Sequence, residues 1–165
     1  MRRRQILIAA AGLVAWPAIA AAQTPGPATQ TPPQRTPPTP PPLITAQNEL
    51  ERAFLAALGD PEARPAFRRE LMVSQIALAL ESAEPDAEPR QVAIGPQITA
   101  AAVFTSTERL NNVLGPSSAR RVMSGRQAFE RLRGQHIVLN YRLAPMLTLE
   151  PEDVEQYLAT PTARP

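Results

Sequence analysis

The chain has no cysteine, no lysine, one histidine, and only four Phe, two Tyr and one Trp among 165 residues. Without cysteine there is no disulfide, no thiolate nucleophile and no thiolate ligand for a metal. The lone histidine, His136, cannot build a zinc site of the usual donor count. It is also the single imidazole that could serve a serine nucleophile, and no G-x-S-x-G elbow accompanies it. No glycine-rich phosphate loop or dinucleotide fingerprint occurs. The clustered acids Glu150, Glu152 and Asp153 sit where a helix should begin, and the helix dipole accounts for them without a metal. The expectation is therefore no catalytic residue, no cofactor and no metal. An uncharacterised enzyme is the third-ranked reading.

All 17 basic residues are Arg. Together with the abundant Ala and Pro, this reads as base-composition bias and not as a nucleic-acid signature. The calculated pI of about 9.9 belongs to the whole chain. Arg2, Arg3 and Arg4 precede an almost wholly apolar run from Ile6 to Ile19, followed by Ala20-Ala21-Ala22. A positive start, a short apolar stretch and small residues at the end describe a secretory signal peptide over residues 1–22, cut before Gln23. The run is shorter than the ~20 residues that span a bilayer, so no membrane span is expected in the mature form, with an uncleaved anchor as the alternative. Arg3-Arg4-Gln5-Ile6-Leu7 also resembles a twin-arginine motif, so both the Sec and the twin-arginine routes stay open. Removal of the signal leaves 14 Arg against 15 acids, a net charge near −1. That balance argues against nucleic acid as a partner. The expected location is periplasmic or extracellular.

Residues 23–43 form a linker. Nine of the 19 residues from Thr24 to Pro42 are Pro, and none is a large apolar residue. Such a segment lacks the donors for helix or sheet and favours extended polyproline II, a semi-rigid spacer. Residues 44–160 then suffice for one core, and 161–165 should fray. The apolar stripe Leu50, Ala53, Phe54, Ala57 and Leu58 predicts a helix from Asn48 to Leu58, with Asn48 and Glu51 as a capping box. Asp60-Pro61 opens a second helix, running to about Glu70. Alternation predicts a strand from Ser74 to Leu80 with both faces covered. Strands Gln91–Ile94 and Ile98–Phe104 flank a Gly95-Pro96 turn. Thr105-Ser106-Thr107-Glu108 reads as a capping box for a helix ending at Gly115, and Ser124-Gly125-Arg126-Gln127 as another. Strands at Arg120–Met123, His136–Asn140 and Met146–Leu149, and a last helix after Glu150, complete the reading. Helices interleaved with strands give an α+β fold: one domain with a mixed sheet of about four to six strands and flanking helices.

Three stretches carry a family resemblance. NELERAFLAALGDPEARPAFRRELMVSQIALAL, VFTSTERLNNVLGP and GRQAFERLRGQHIVLNYRLAPMLTLEPEDVEQYL resemble, in order, the SseB protein N-terminal domain. The middle block carries an FTS-x-E-R-L step from strand to helix. The last has a strand ending in Val138-Leu139-Asn140 and a helix opened by Pro-Glu-acidic residues. Tyr141-Arg142 stands where the family pattern suggests Pro-Gly, and the signal and linker are additions to that pattern. The resemblance implies a fold and a binding role, with no catalytic residues to carry over.

The first reading of function is an exported, non-enzymatic domain binding a protein partner in the bacterial envelope. Tyr141 and Arg142, just after a strand, are its candidate contacts, because Tyr and Arg are favoured at binding hot spots. The alternative is a small-ligand or anion module at the Arg-rich helix start near Ser124, using Arg120, Arg121 and Arg126.

Overall fold

The computed structural model describes residues 44–161. The signal peptide (1–22), the linker (23–43) and all of the tail (161–165) except Pro161 lie outside the described residues.

Helix α1 (Glu49–Gly59) begins where expected, with the Asn48 side chain accepting from the Glu51 amide at 2.8 Å. The capping box is only half formed. Glu51 does not return to the Asn48 amide; it accepts from Gln47 N and turns its carboxylate inward. After α1 the chain makes a 3-10 turn, Pro61–Ala63, capped by Asp60, before α2 (Arg64–Val73). The second helix therefore starts three residues later and ends three residues later than expected. Pro65 is tolerated in its first turn because no intrahelical donor is needed there.

Strand β1 (Gln75–Ala79) is followed by a polar excursion and the hairpin of β2 (Gln91–Gly95) and β3 (Ile98–Phe104). Helix α3 spans Thr107–Leu114, then come β4 (Arg120–Ser124), α4 (Gly125–Arg131), β5 (Ile137–Leu139), β6 (Leu147–Leu149) and α5 (Pro151–Leu158). The five helices and six strands among the described residues form a single α+β domain with a mixed sheet.

The sheet order is β4-β1-β3-β5-β6, with β2 also beside β3. The central β3 runs parallel to β5 and antiparallel to β1 and β2. Its seven residues serve two partners on one side: β2 along the first half and β1 at Val103 and Phe104. Alternation in β1 does what the sequence suggests. Ile76, Leu78 and Leu80 join the larger core with α1, α2, α4 and α5, while Ala77 and Ala79 face α3 with Ala102, Phe104 and Leu110. The small Ala side chains let α3 lie close to the sheet, and the branched ones fill the thicker helical layer.

Two glycines are needed for geometry. Gly115 closes α3 at φ 92°, a conformation that L side chains rarely adopt. Gly125 opens α4 against the end of α2: a Cβ there would lie 1.8 Å from the Leu71 carbonyl oxygen. The Ser124 capping box beside it is complete, with Gln127 N donating to Ser124 Oγ and Ser124 N to Gln127 Oε1.

Candidate functional site

The Thr105 capping box forms differently from the sequence expectation. Ser106 caps α3, accepting from Arg109 N at 3.2 Å. Thr105, freed from that role, points into the protein. Its hydroxyl lies 2.8 Å from Glu51 Oε1 and 3.1 Å from Asn140 Oδ1. It has one proton, and the charged, nearer Glu51 oxygen takes it. Arg109 completes the cluster: its Nε donates to Glu51 Oε1 at 3.0 Å and its Nη2 to Glu51 Oε2 at 2.9 Å, a fork on a carboxylate. Nη2 also donates to the Thr45 carbonyl, and Gln47 N to Glu51 Oε2. Asn140 Oδ1 accepts from Thr105 N at 3.0 Å.

Glu51 and Asn140 are fully enclosed. Burial alone would push the Glu51 carboxyl up. The Arg109 hydrogen bond, the Gln47 amide, the Thr105 hydroxyl and the Arg109 charge together outweigh burial and hold it below the usual carboxylate value. The Glu51 hydrogen bond raises the Arg109 pKa in return. This buried pair joins α1 to α3 and holds Thr45 and Gln47 against them, while Ile44 N donates to the Ala144 carbonyl. Each of the three stretches that carry the family resemblance supplies a member: Glu51 the first, Thr105 and Arg109 the second, Asn140 the third. Arg109 meets the charge of Glu51 here, and Asn140 Nδ2 is buried without a hydrogen-bond partner among the described residues.

One accessible feature among the described residues is a groove of about 350 Å³ between α1, α2, β6 and α5. Phe54 and Phe67 stack along it, ring centres 4.7 Å apart and 11° from parallel. Leu58, 54% exposed, and Leu147 add apolar surface. Arg64 and Arg68 stand on the α2 side, with Arg68 lying 5.2 Å over the Tyr157 ring. Burial pushes the Tyr157 phenol up, partly offset by Arg68. Asp153 also lines the groove, its carboxylate accepting from Glu150 N at 3.1 Å.

Strand β6 borders the groove at the margin of the sheet. In β5, His136 O and Asn140 N bond to β3, so the intervening Ile137 and Leu139 direct their amides and carbonyls to β6. Their partners Leu149 and Leu147 bond back, and the amide and carbonyl of Thr148 point away from the sheet.

The sequence-selected contacts lie elsewhere. Tyr141 is half-buried against the α3-side core, and Arg142, exposed, lies 5.2 Å over its ring. The arginines near Ser124 do not converge. Arg120 bonds the Pro116 and Ser118 carbonyls, Arg121 the Pro85 carbonyl, and Arg126 the Leu158 and Thr160 carbonyls at the end of α5. A cation on the last carbonyls of a helix is a structural cap. His136 is half-buried just ahead of β5. Among the described residues no three His, Asp or Glu side chains gather as a metal site, and no helix is long and apolar enough to cross a membrane. The groove was missed in the sequence because its walls come from four elements. The buried Glu51 was missed because a capping box explained it locally.

No curated protein and no solved structure matches the chain. The family description that does match, SseB protein N-terminal domain, covers residues 50–156, well over half of the chain and all four members of the buried polar cluster. The chain therefore belongs to the SseB protein N-terminal domain family.

Proposed function

We propose that this SseB-like domain is exported, has no catalytic activity of its own, and binds a protein partner in the bacterial envelope or outside the cell. The observation that carries the reading is the groove: stacked aromatics beneath an exposed Leu58, beside a strand with outward-facing backbone. Exposed apolar surface in a concave site with a few charged groups is what protein contacts use. The buried acid–base pair supports the fold, and the groove combines exposed apolar surface with charged groups at its rim. The signal peptide and the proline-rich spacer would carry the domain away from the exit site.

Two measurements test this. Mass spectrometry of the protein from the extracytoplasmic fraction should find an N-terminus at Gln23; material confined to the cytosol removes the export reading. A photo-crosslinking amino acid at position 58 should give discrete adducts in living cells, whereas the same group at the exposed Ala93 of β2 should not. Equal or absent adducts at both positions count against a partner at the groove.

A further inference from the structure

Resting on that reading, we infer that the groove takes an extended peptide segment with an apolar centre and acidic residues beside it, added as an extra strand along β6. Three features of the site select this occupant. The first is the sheet margin: Thr148 turns its amide and carbonyl outward, and an extended chain satisfies both. The second is apolar surface: exposed Leu58 and half-buried Leu147, backed by the buried Phe54 and Phe67, offer contact to alternate side chains of the added strand. The third is charge. Arg64 is exposed and has no carboxylate partner among the described residues, and Arg68 is held over Tyr157 next to it. Asp153, the acid that lines the groove, already accepts from the Glu150 amide. Two guanidinium groups against this one carboxylate leave the lining net positive, and acidic side chains complement it.

The opposite margin differs. β4 carries Arg120 and Arg121, whose guanidinium groups reach back to neighbouring loops and mark a protected edge. β6 presents only Leu147, Thr148 and Leu149. The linker of this same chain is a poorer occupant. Its nine Pro lack the amides that strand addition needs, and its single charged residue, Arg35, repels Arg64.

The test uses the full chain and a fluorescein-labelled octapeptide with a valine–threonine centre and glutamates at both ends, read by fluorescence anisotropy. Controls are the same peptide with lysines at the ends and one with alternate amides N-methylated. The expected result is micromolar binding of the glutamate peptide, at least tenfold weaker binding of both controls, and about fivefold weakening by Arg64→Glu, growing smaller at high salt. Thr148→Pro should weaken binding tenfold with an unchanged circular dichroism spectrum, since proline is accepted where an edge amide faces outward. Should that variant misfold, Arg64→Glu and the N-methylated peptide decide alone. Equal binding of glutamate and lysine peptides, indifference to Arg64→Glu, or no binding overturns the inference. So does a dimer of the free chain that Thr148→Pro dissociates, which makes a second copy the occupant. A tenfold gain in peptide affinity on deleting residues 24–42 makes the linker the occupant and overturns it too. If the peptide fails while crosslinks from position 58 persist, the partner is of another chemistry and the binding reading survives. If both fail, both readings fall.

Discussion

Arg109→Met removes a guanidinium from a fully enclosed carboxylate while keeping most of the side chain's apolar stem. Glu51 would retain the Gln47 amide and the Thr105 hydroxyl and lose both Arg109 bonds. Breaking a buried ion pair by removing one partner costs about 3–5 kcal/mol. The two surviving donors place this case near the lower end, about 3 kcal/mol. For a domain of this size each kcal/mol moves Tm by roughly 4 °C, so the variant should melt about 12 °C below the parent. Urea titration and thermal circular dichroism of the full chain at neutral pH measure both quantities. The pH dependence is the sharper signature. In the parent, the Glu51 carboxyl sits below its ordinary value. Its contribution is present above the unfolded carboxylate pKa of about 4.3 and is lost as pH falls through the folded value. In the variant the Arg109 hydrogen bond and charge are gone, burial dominates, and the carboxyl moves above its unfolded value. The folded variant then binds the proton more tightly than the unfolded chain, so its deficit shrinks as pH falls from about 7 toward 5. A loss below about 1 kcal/mol, or a deficit independent of pH over that range, refutes the account.

Glu51→Gln combined with Arg109→Met should cost less than the two singles together by at least about 1 kcal/mol, since the second change relieves the charge stranded by the first; a double-mutant cycle in urea measures this. Thr105→Val should destabilise by about 1–2 kcal/mol, because Glu51 loses a hydroxyl donor in a dry site; the same urea titration reads it. Gly125→Ala should cost more than about 3 kcal/mol, since its Cβ would meet the Leu71 carbonyl at 1.8 Å and α2 and α4 would have to part; a melting temperature near that of the parent contradicts the packing. Arg126→Ala should cost only about 1 kcal/mol, yet raise hydrogen exchange at the end of α5, where Leu158 and Thr160 carbonyls lose their donor.

Local chemistry wrote much of the fold into the sequence. The stripe from Leu50 to Leu58, the alternation from Ile76 to Leu80, the Gly95-Pro96 turn and the Ser124 box each depend on neighbours within a few residues, and each element stands close to its expected place. The lack of cysteine, the lone His136 and the charge balance restricted the available chemistry in the same way. Errors came where a residue had two competing partners. Thr105 and Glu51 fit capping boxes, but a buried Arg109 58 residues from Glu51 in sequence offers a stronger, charge-assisted bond than a backbone amide exposed to water. Tyr141 follows a strand in the sequence, and only the fold shows that it packs in part against the α3-side core.

The sequence by itself thus determined the elements, the α+β class and the family, because periodicity, caps and turns are short-range. Tertiary structure alone decided the strand order, the meeting of Glu51, Thr105, Arg109 and Asn140, and the groove beside β6. Those depend on which distant segments are brought together, and the free energy that chooses among pairings lies in burial and charge matching across the whole chain.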